Sequence, residues 1–306
     1  MKKKFTFPRM GVYTEFFCNL VKDLGGDIIT PPKITKETIK LGIKYSPEMI
    51  CFPYKVCIGN LIQSLESGAN AILWPDTQGT CRFTHFSEIQ NKVLKDLGYN
   101  FDVLLLRRRQ IFHDLRQIGN LTYPSLLRKL KKHYGIVKRL EEQHYDFKYE
   151  SDKVNIGIIG EIYTMHEPII NHNILNLLRK MGANPHLSFK MSDFFRKHVH
   201  LDFSKKKEKK ESREFLSKDI GGHARESLYN SVYYGQRGFD GVVHLLPLTC
   251  MPETTIQPIL SLISKKYDLP IYCFPIDENN SEAGFNTRLE TFVSILKQKK
   301  GLECTV

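Results

Sequence analysis

Short apolar runs alternate along this chain with longer stretches whose apolar residues recur every three or four positions. Asp27–Thr30, Glu48–Cys51, Ala71–Trp74 and Asp102–Leu106 read as buried strands. Between them, Tyr13–Leu24, Tyr54–Glu66 and Thr84–Leu97 show helical spacing, and Gly25, Gly68 and Gly98 stand where a left-handed residue would end a helix. The second half repeats this grammar. Val154–Ile159 reads as a strand, followed by a helix through Ile169–Met181, a strand at Gly241–Leu246, a helix at Thr254–Lys266, a strand at Ile271–Phe274 and a helix at Phe285–Lys297. Strand and helix in alternation imply parallel sheets covered on both faces. Phe5–Pro8, Gly11 and the helix to Leu24-Gly25 are echoed by Val154–Ile159, Gly160 and the helix to Met181-Gly182. That echo favours two related α/β halves over one sheet. Between them, Arg107–Tyr149 has leucines at helical intervals and many basic residues, and is expected to form a helical cap or connector. The charge run Ser204–Glu211 reads as a solvated loop or helix start.

Composition narrows the setting. The 306 residues are 41% hydrophobic and 25% charged, which suits one large domain or two smaller ones and excludes disorder for most of the chain. No apolar stretch approaches the ~18 residues that a membrane span needs. Pro8 and Arg9 interrupt the segment after Lys2–Lys4 before an apolar leader core develops, so a cytoplasmic location is expected. The net charge of +12 admits nucleic acid, an anionic membrane surface or a polyanionic cofactor. Most of it sits in three runs, Lys2–Lys4, Arg107–Arg109 and Lys205–Lys210. The interleaved basic and aromatic face of a nucleic-acid binder is not found, which makes that partner the less favoured one.

The seven cysteines change the picture. Their number is odd and the chain is large enough to fold without staples, so metal binding or thiol chemistry explains them better than disulfides do. Cys18 and Cys273 lie in apolar runs and read as small buried hydrophobes, and Cys304 is in the tail. Cys51, Cys57, Cys81 and Cys250 remain. Cys51 ends a predicted strand, Cys81 and Cys250 each follow one, and all three precede a predicted helix, at the edge where open α/β sheets place ligands. A helix N-terminus favours thiolate, and thiolates bind soft metals and iron–sulfur clusters. No C-x2-C pair is present, which removes zinc ribbons and thioredoxin-type motifs. The alternative reading of these cysteines, as buried hydrophobes, stays open.

Several motifs carry a resemblance. The first half reads Ser46-Pro47-Glu48-Met49-Ile50-Cys51-Phe52-Pro53-Tyr54-Lys55-Val56, then Gly59-Asn60, Gly68-Ala69 and Gly79-Thr80-Cys81-Arg82-Phe83. The second has Gly160-Glu161-Ile162-Tyr163, Phe239-Asp240-Gly241, Pro247-Leu248-Thr249-Cys250-Met251-Pro252, Ile276-Asp277-Glu278 and Thr287-Arg288-Leu289-Glu290. These resemble the 2-hydroxyacyl-CoA dehydratase superfamily, and within it the acyl-CoA dehydratase activase-related and double-cubane cluster proteins. The resemblance implies two Rossmann-like domains with parallel sheets and an iron–sulfur cluster in the cleft between them. The expected division is 1–106, a helical segment 107–152, and 153–306.

By that resemblance, Cys51, Cys81 and Cys250 would hold a [4Fe–4S] cluster, with Cys57 a further candidate ligand and a double-cubane [8Fe–9S] cluster the alternative. The implied function is an iron–sulfur redox protein that accepts low-potential electrons for a reductive or dehydratase-type reaction. The alternative is a non-enzymatic electron carrier or scaffold subunit. An ATP-hydrolysing activator protein is the implied partner, because the chain has no G-x-x-x-x-G-K-[ST] loop. A homodimer or a related subunit is also expected. The chain departs from the pattern at Gln78 and Gly79, where many relatives carry another cysteine. Glu161 is the candidate for proton chemistry, with helix capping as its other reading. Arg82 and Lys55 are candidates to balance charge, His85 and His244 to shuttle protons, and Arg288 with Asp277 to form a domain-stabilising pair or an interdomain contact.

Overall fold

The computed structural model describes residues 2–76, 81–198, 210–218 and 220–302. The chain divides into two compact units, Met1–Leu140 and Glu141–Val306. Both are α/β, and each is built on a four-stranded parallel sheet, as in two Rossmann-like domains. Cys304 and most of the Ser204–Glu211 run lie outside the described residues, as do Gln78 and Gly79.

In the first unit the strands are β1 (Lys4–Thr6), β2 (Asp27–Ile28), β3 (Ala71–Asp76) and β4 (Asp102–Arg107). They lie side by side in the order β2-β1-β3-β4. The helices are α1 (Tyr13–Asp23), α2 (Lys36–Lys44), α3 (Phe52–Glu66) and α4 (Phe86–Asp96), with a short 3-10 turn at Arg82–His85 before α4. After β4 come α5 (Ile111–Gly119) and α6 (Tyr123–Tyr145), a helical segment as the leucine spacing expected. Phe5, Leu20, Leu24, Ala71, Leu73, Ile118 and Leu126 pack into one core beneath this sheet.

The second unit repeats the arrangement with β5 (Val154–Gly160), β6 (Ala183–Leu187), β7 (Gly241–Pro247) and β8 (Ile271–Ile276), ordered β6-β5-β7-β8. Its helices are α7 (Ile162–His166), α8 (Ile174–Lys180), α9 (Met191–His198), α10 (Ala224–Gln236), α11 (Met251–Tyr267) and α12 (Glu282–Lys300). β5 and β7 are buried along their whole length, the signature of strands covered on both faces. In both sheets the strand order reverses between the first and third strands, β1 against β3 and β5 against β7. The carboxyl ends of those strands flank the crevice where doubly wound sheets take ligands.

Several sequence expectations change. Glu48–Cys51 is not a strand but a turn, in which Ile50 N–H donates to the Pro47 carbonyl and Met49 is 72% exposed. Pro47 and Pro53 bracket the run, and proline cannot donate to a sheet ladder. Only Ile174–Lys180 of the expected Ile169–Met181 helix is helical, because His172 and Asn173 take left-handed φ of 53° and 55°. β6 was not legible, since Pro185 and alternating polar residues disguise it. α2 begins on a reciprocal cap between Thr35 and Thr38, a variant of the usual capping box without Glu or Gln.

α3 is buried on nearly every side, and one contact sets how it lies. A Cβ on Gly42 of α2 would stand 1.8 Å from the Lys55 carbonyl oxygen, and one on Gly59 would stand 2.1 Å from the Thr38 carbonyl oxygen. The two backbones therefore touch where neither helix has a side chain. Backbone cannot move aside as a flexible side chain does, so Gly42→Ala is expected to destabilise the chain by at least the ~1–3 kcal/mol typical of overpacking. Gly135→Ala, also inside a helix (α6) and with nothing within 4 Å of its Cβ, controls for general glycine effects. Urea midpoints of the two variants measure the difference, and equal midpoints would remove the close approach as a constraint.

Candidate functional site

The three singled-out cysteines each take the N-cap position of a helical segment. Cys51 caps α3, Cys81 the Arg82–His85 turn and Cys250 α11, all in extended conformation. Pro53 and Pro252 follow in the first turns of α3 and α11, where a missing N–H costs nothing. Cys51, Cys57 and Cys250 are buried and Cys81 is partly exposed; all the described cysteines are thiols rather than disulfides. Cys51 and Cys81 belong to the first unit and Cys250 to the second. The loops of the first two are tied directly, since the Arg82 guanidinium donates to the Met49 carbonyl at 2.6 Å. Arg82 is thereby placed as a loop clamp, and Lys55 is buried within α3.

Behind these loops lies an aromatic row. Trp74 stacks on Phe83 at 5.3 Å, Phe83 meets Phe86 at 5.1 Å, and Phe86 meets Tyr54 edge-on at 4.9 Å. The row carries polar atoms that burial has stripped of water. The Tyr54 hydroxyl, the Trp74 indole N–H and both amide atoms of Gln90 are buried with no hydrogen-bond partner among the described residues. Burial pushes the Tyr54 hydroxyl up, with Cys57 adding to the shift. Orphaned groups of this kind cost stability.

Glu161 proves to be a cap. Gly160 turns the end of β5 with φ +137°, and any Cβ there would lie 2.2 Å from the Leu245 carbonyl oxygen. Glu161 Oε1 then accepts from Tyr163 N–H at 2.9 Å, while Oε2 accepts from Thr164 N–H at 2.8 Å and its hydroxyl at 2.9 Å. Burial raises its carboxyl, and those donors act against the rise. Its oxygens are committed to the start of α7. His85 is exposed beside Glu88. Arg288 donates to the Gly284 carbonyl in its own helix and Asp277 accepts from Asn279 N–H, so the expected pair is replaced by two local contacts.

His244 is the proton-shuttle candidate that acquires partners. Its Nε2 lies 2.8 Å from Glu253 Oε2, with both side chains at 1% exposure or less, and its Nδ1 lies 3.3 Å from the Cys273 sulfur. Ser227 Oγ donates to the other Glu253 oxygen at 3.3 Å. Cys273 is thus no inert hydrophobe, whereas Cys18 is, buried beside Thr30 with its thiol raised by burial. Sequence alone missed Glu253 and Cys273; only the pairing of His244 with Cys273 across β7 and β8 brings them together.

Comparison with known families supplies the remaining finding. A model described as CoA enzyme activase uncharacterised domain matches residues 9–91. The match points to the acyl-CoA dehydratase activase family. No curated protein matches the chain. Two findings overturn the expected iron–sulfur redox function. The matched domain carries the description of a CoA enzyme activase domain, which suggests an activator rather than a cluster-bearing protein. Among the described residues, no three His, Cys, Asp or Glu side chains gather into a group able to hold a metal ion. The metal-binding and electron-transfer readings fall with these two findings. Among the described residues no helix is long and apolar enough to cross a membrane.

Two of these contacts can be tested by substitution. Removing an orphaned hydroxyl removes a buried cost, so Tyr54→Phe is expected to leave the melting temperature unchanged or raise stability by ~1 kcal/mol; a clear loss would mean that the hydroxyl is satisfied. The second concerns pH. Burial disfavours a charged His244, but the Cys273 sulfur and the Glu253 carboxylate more than offset it and raise the imidazole to about 9. A folded value above the ordinary ~6.5 gives stability that is complete below about pH 6.5 and lost as pH rises through about 9. Urea midpoints should therefore fall across that window. Glu253→Gln should flatten the slope and destabilise by ~3–5 kcal/mol by stranding a buried partner.

Proposed function

We propose that this chain takes part in activating an acyl-CoA dehydratase of the 2-hydroxyacyl-CoA class, as the activase-side partner that binds the dehydratase in an ATP-dependent step. The observation that carries this reading is the match to a CoA enzyme activase domain over residues 9–91. The matched segment includes the loop after β1, the N-terminus of α3 and the Arg82–His85 turn, all loops of the first sheet's carboxyl edge. Met49, 72% exposed, stands on that edge beside the Arg82 that holds its carbonyl. An apolar anchor next to an arginine suits a protein contact. The thiol state of the described cysteines is in keeping with a cytoplasmic setting.

The test mixes the purified chain with a 2-hydroxyacyl-CoA dehydratase, with and without MgATP. Sedimentation measures the complex, and phosphate release measures ATP turnover. A complex whose affinity responds to nucleotide is expected. Met49→Asp should weaken it about tenfold, or ~1.4 kcal/mol, with the melting temperature kept, and Arg82→Glu should weaken it at least as much, since it also frees the Met49 turn. No complex under either condition would overturn the reading.

A further inference from the structure

β7 and β8 run parallel with His244 directly beside Cys273. Register partners leave a sheet on the same face, so the imidazole and the thiol emerge together. α11 lays Glu253 against that face, and Ser227 of α10 steadies the carboxylate from behind. These are the groups that face His244: Cys273 from β8 and Glu253 from α11. The order is a thiol, then a base within hydrogen-bond reach, then an acid that fixes the base, which is the arrangement of activated nucleophiles. A protonated His244 presents an N–H to the sulfur and so favours its thiolate form. Of the three, only Cys273 is partly exposed. β8 is an edge strand, and on the same face Ile271 is partly exposed and Pro275 exposed, giving the sulfur an apolar approach.

We propose that Cys273 is a nucleophile that accepts an acyl group from a thioester, with His244 as its proton partner and Glu253 as the residue that positions His244. The thioester as donor rests on the CoA-enzyme reading above, whereas the reactivity of the thiol rests on the geometry alone. In the step, the Cys273 sulfur bonds to the acyl carbon and the carbon–sulfur bond to coenzyme A breaks. The departing thiolate takes the proton from His244 Nδ1. A second nucleophile later attacks the acyl-cysteine and gives its proton to Nδ1; the acyl carbon–sulfur bond breaks and Cys273 leaves as the thiolate beside the protonated imidazole. No oxidant or reductant enters.

The test uses the full chain, with iodoacetamide and butyryl-CoA as probes and peptide mass spectrometry to locate adducts. Cys273 is expected to alkylate faster at pH 7 than the partly exposed Cys81. Its rate should drop roughly tenfold or more in His244→Gln, the range over which an ion-paired thiol differs from an ordinary one. Butyryl-CoA should leave a hydroxylamine-labile butyryl group on Cys273, absent in Cys273→Ser. Glu253→Gln should change the pH profile of the alkylation rate, which a purely structural role would leave in place. If His244→Gln fails to fold, the wild-type pH profile and the Cys273→Ser adducts decide. Alkylation no faster than at Cys81, or butyryl groups spread evenly over the cysteines, overturns the proposal; fast alkylation without butyrylation overturns the acyl step. Butyrylation without a dehydratase complex leaves this site standing and sinks the partner reading, and a complex without butyrylation does the reverse.

Discussion

The first unit depends on burying a helix on nearly all sides. From Phe52 to Ile62 every residue of α3 is shielded from solvent, Lys55 and Asn60 included. Such burial is possible only if a neighbour approaches without side chains in the way, and Gly42 against Gly59 meets that need. The Tyr54 hydroxyl has no partner among the described residues, but Asn60 is satisfied. The Asn60 amide accepts from Arg9 N–H and donates to the Pro32 carbonyl, which ties α3 to the loops around β1 and β2. The position of Cys51, and of the turn carrying Met49, follows from where this helix is forced to start.

The layout of both sheets was legible because fully buried parallel strands leave continuous apolar runs. β5 and β7 are of this kind, and so is most of β3. Elements failed to show where polar residues carry the structure. β6 alternates with Asn184 and His186, α2 is set by a threonine cap, and the helix after β5 is broken by two left-handed residues that no periodicity reveals. Glu48–Cys51 had the opposite fault, an apolar fragment that prolines keep out of the sheet.

The site was legible only in part, for a related reason. Position along the chain located Cys51, Cys81 and Cys250 at helix starts, and the structure places them there. Spacing fixes where a residue sits on its own element and not what it meets. His244, Glu253 and Cys273 show the converse. Nothing in the local sequence of Glu253 or Cys273 sets them apart, yet register and one helix crossing bring them within hydrogen-bond reach of His244. The resemblance to cluster-bearing dehydratases was carried by short motifs around cysteines, whereas the family match rests on the whole stretch from the first loop to α4.

The pairing of β8 with β7 has a bearing on how the second unit assembles. Among the described residues β8 is held in the sheet along one side only, and a slip of one residue would turn Cys273 to the opposite face from His244. The sulfur therefore meets its imidazole only when the last strand has docked in its final register. During folding, that thiol would change character at the moment the edge strand locks, and so it marks the completion of the sheet from inside the molecule.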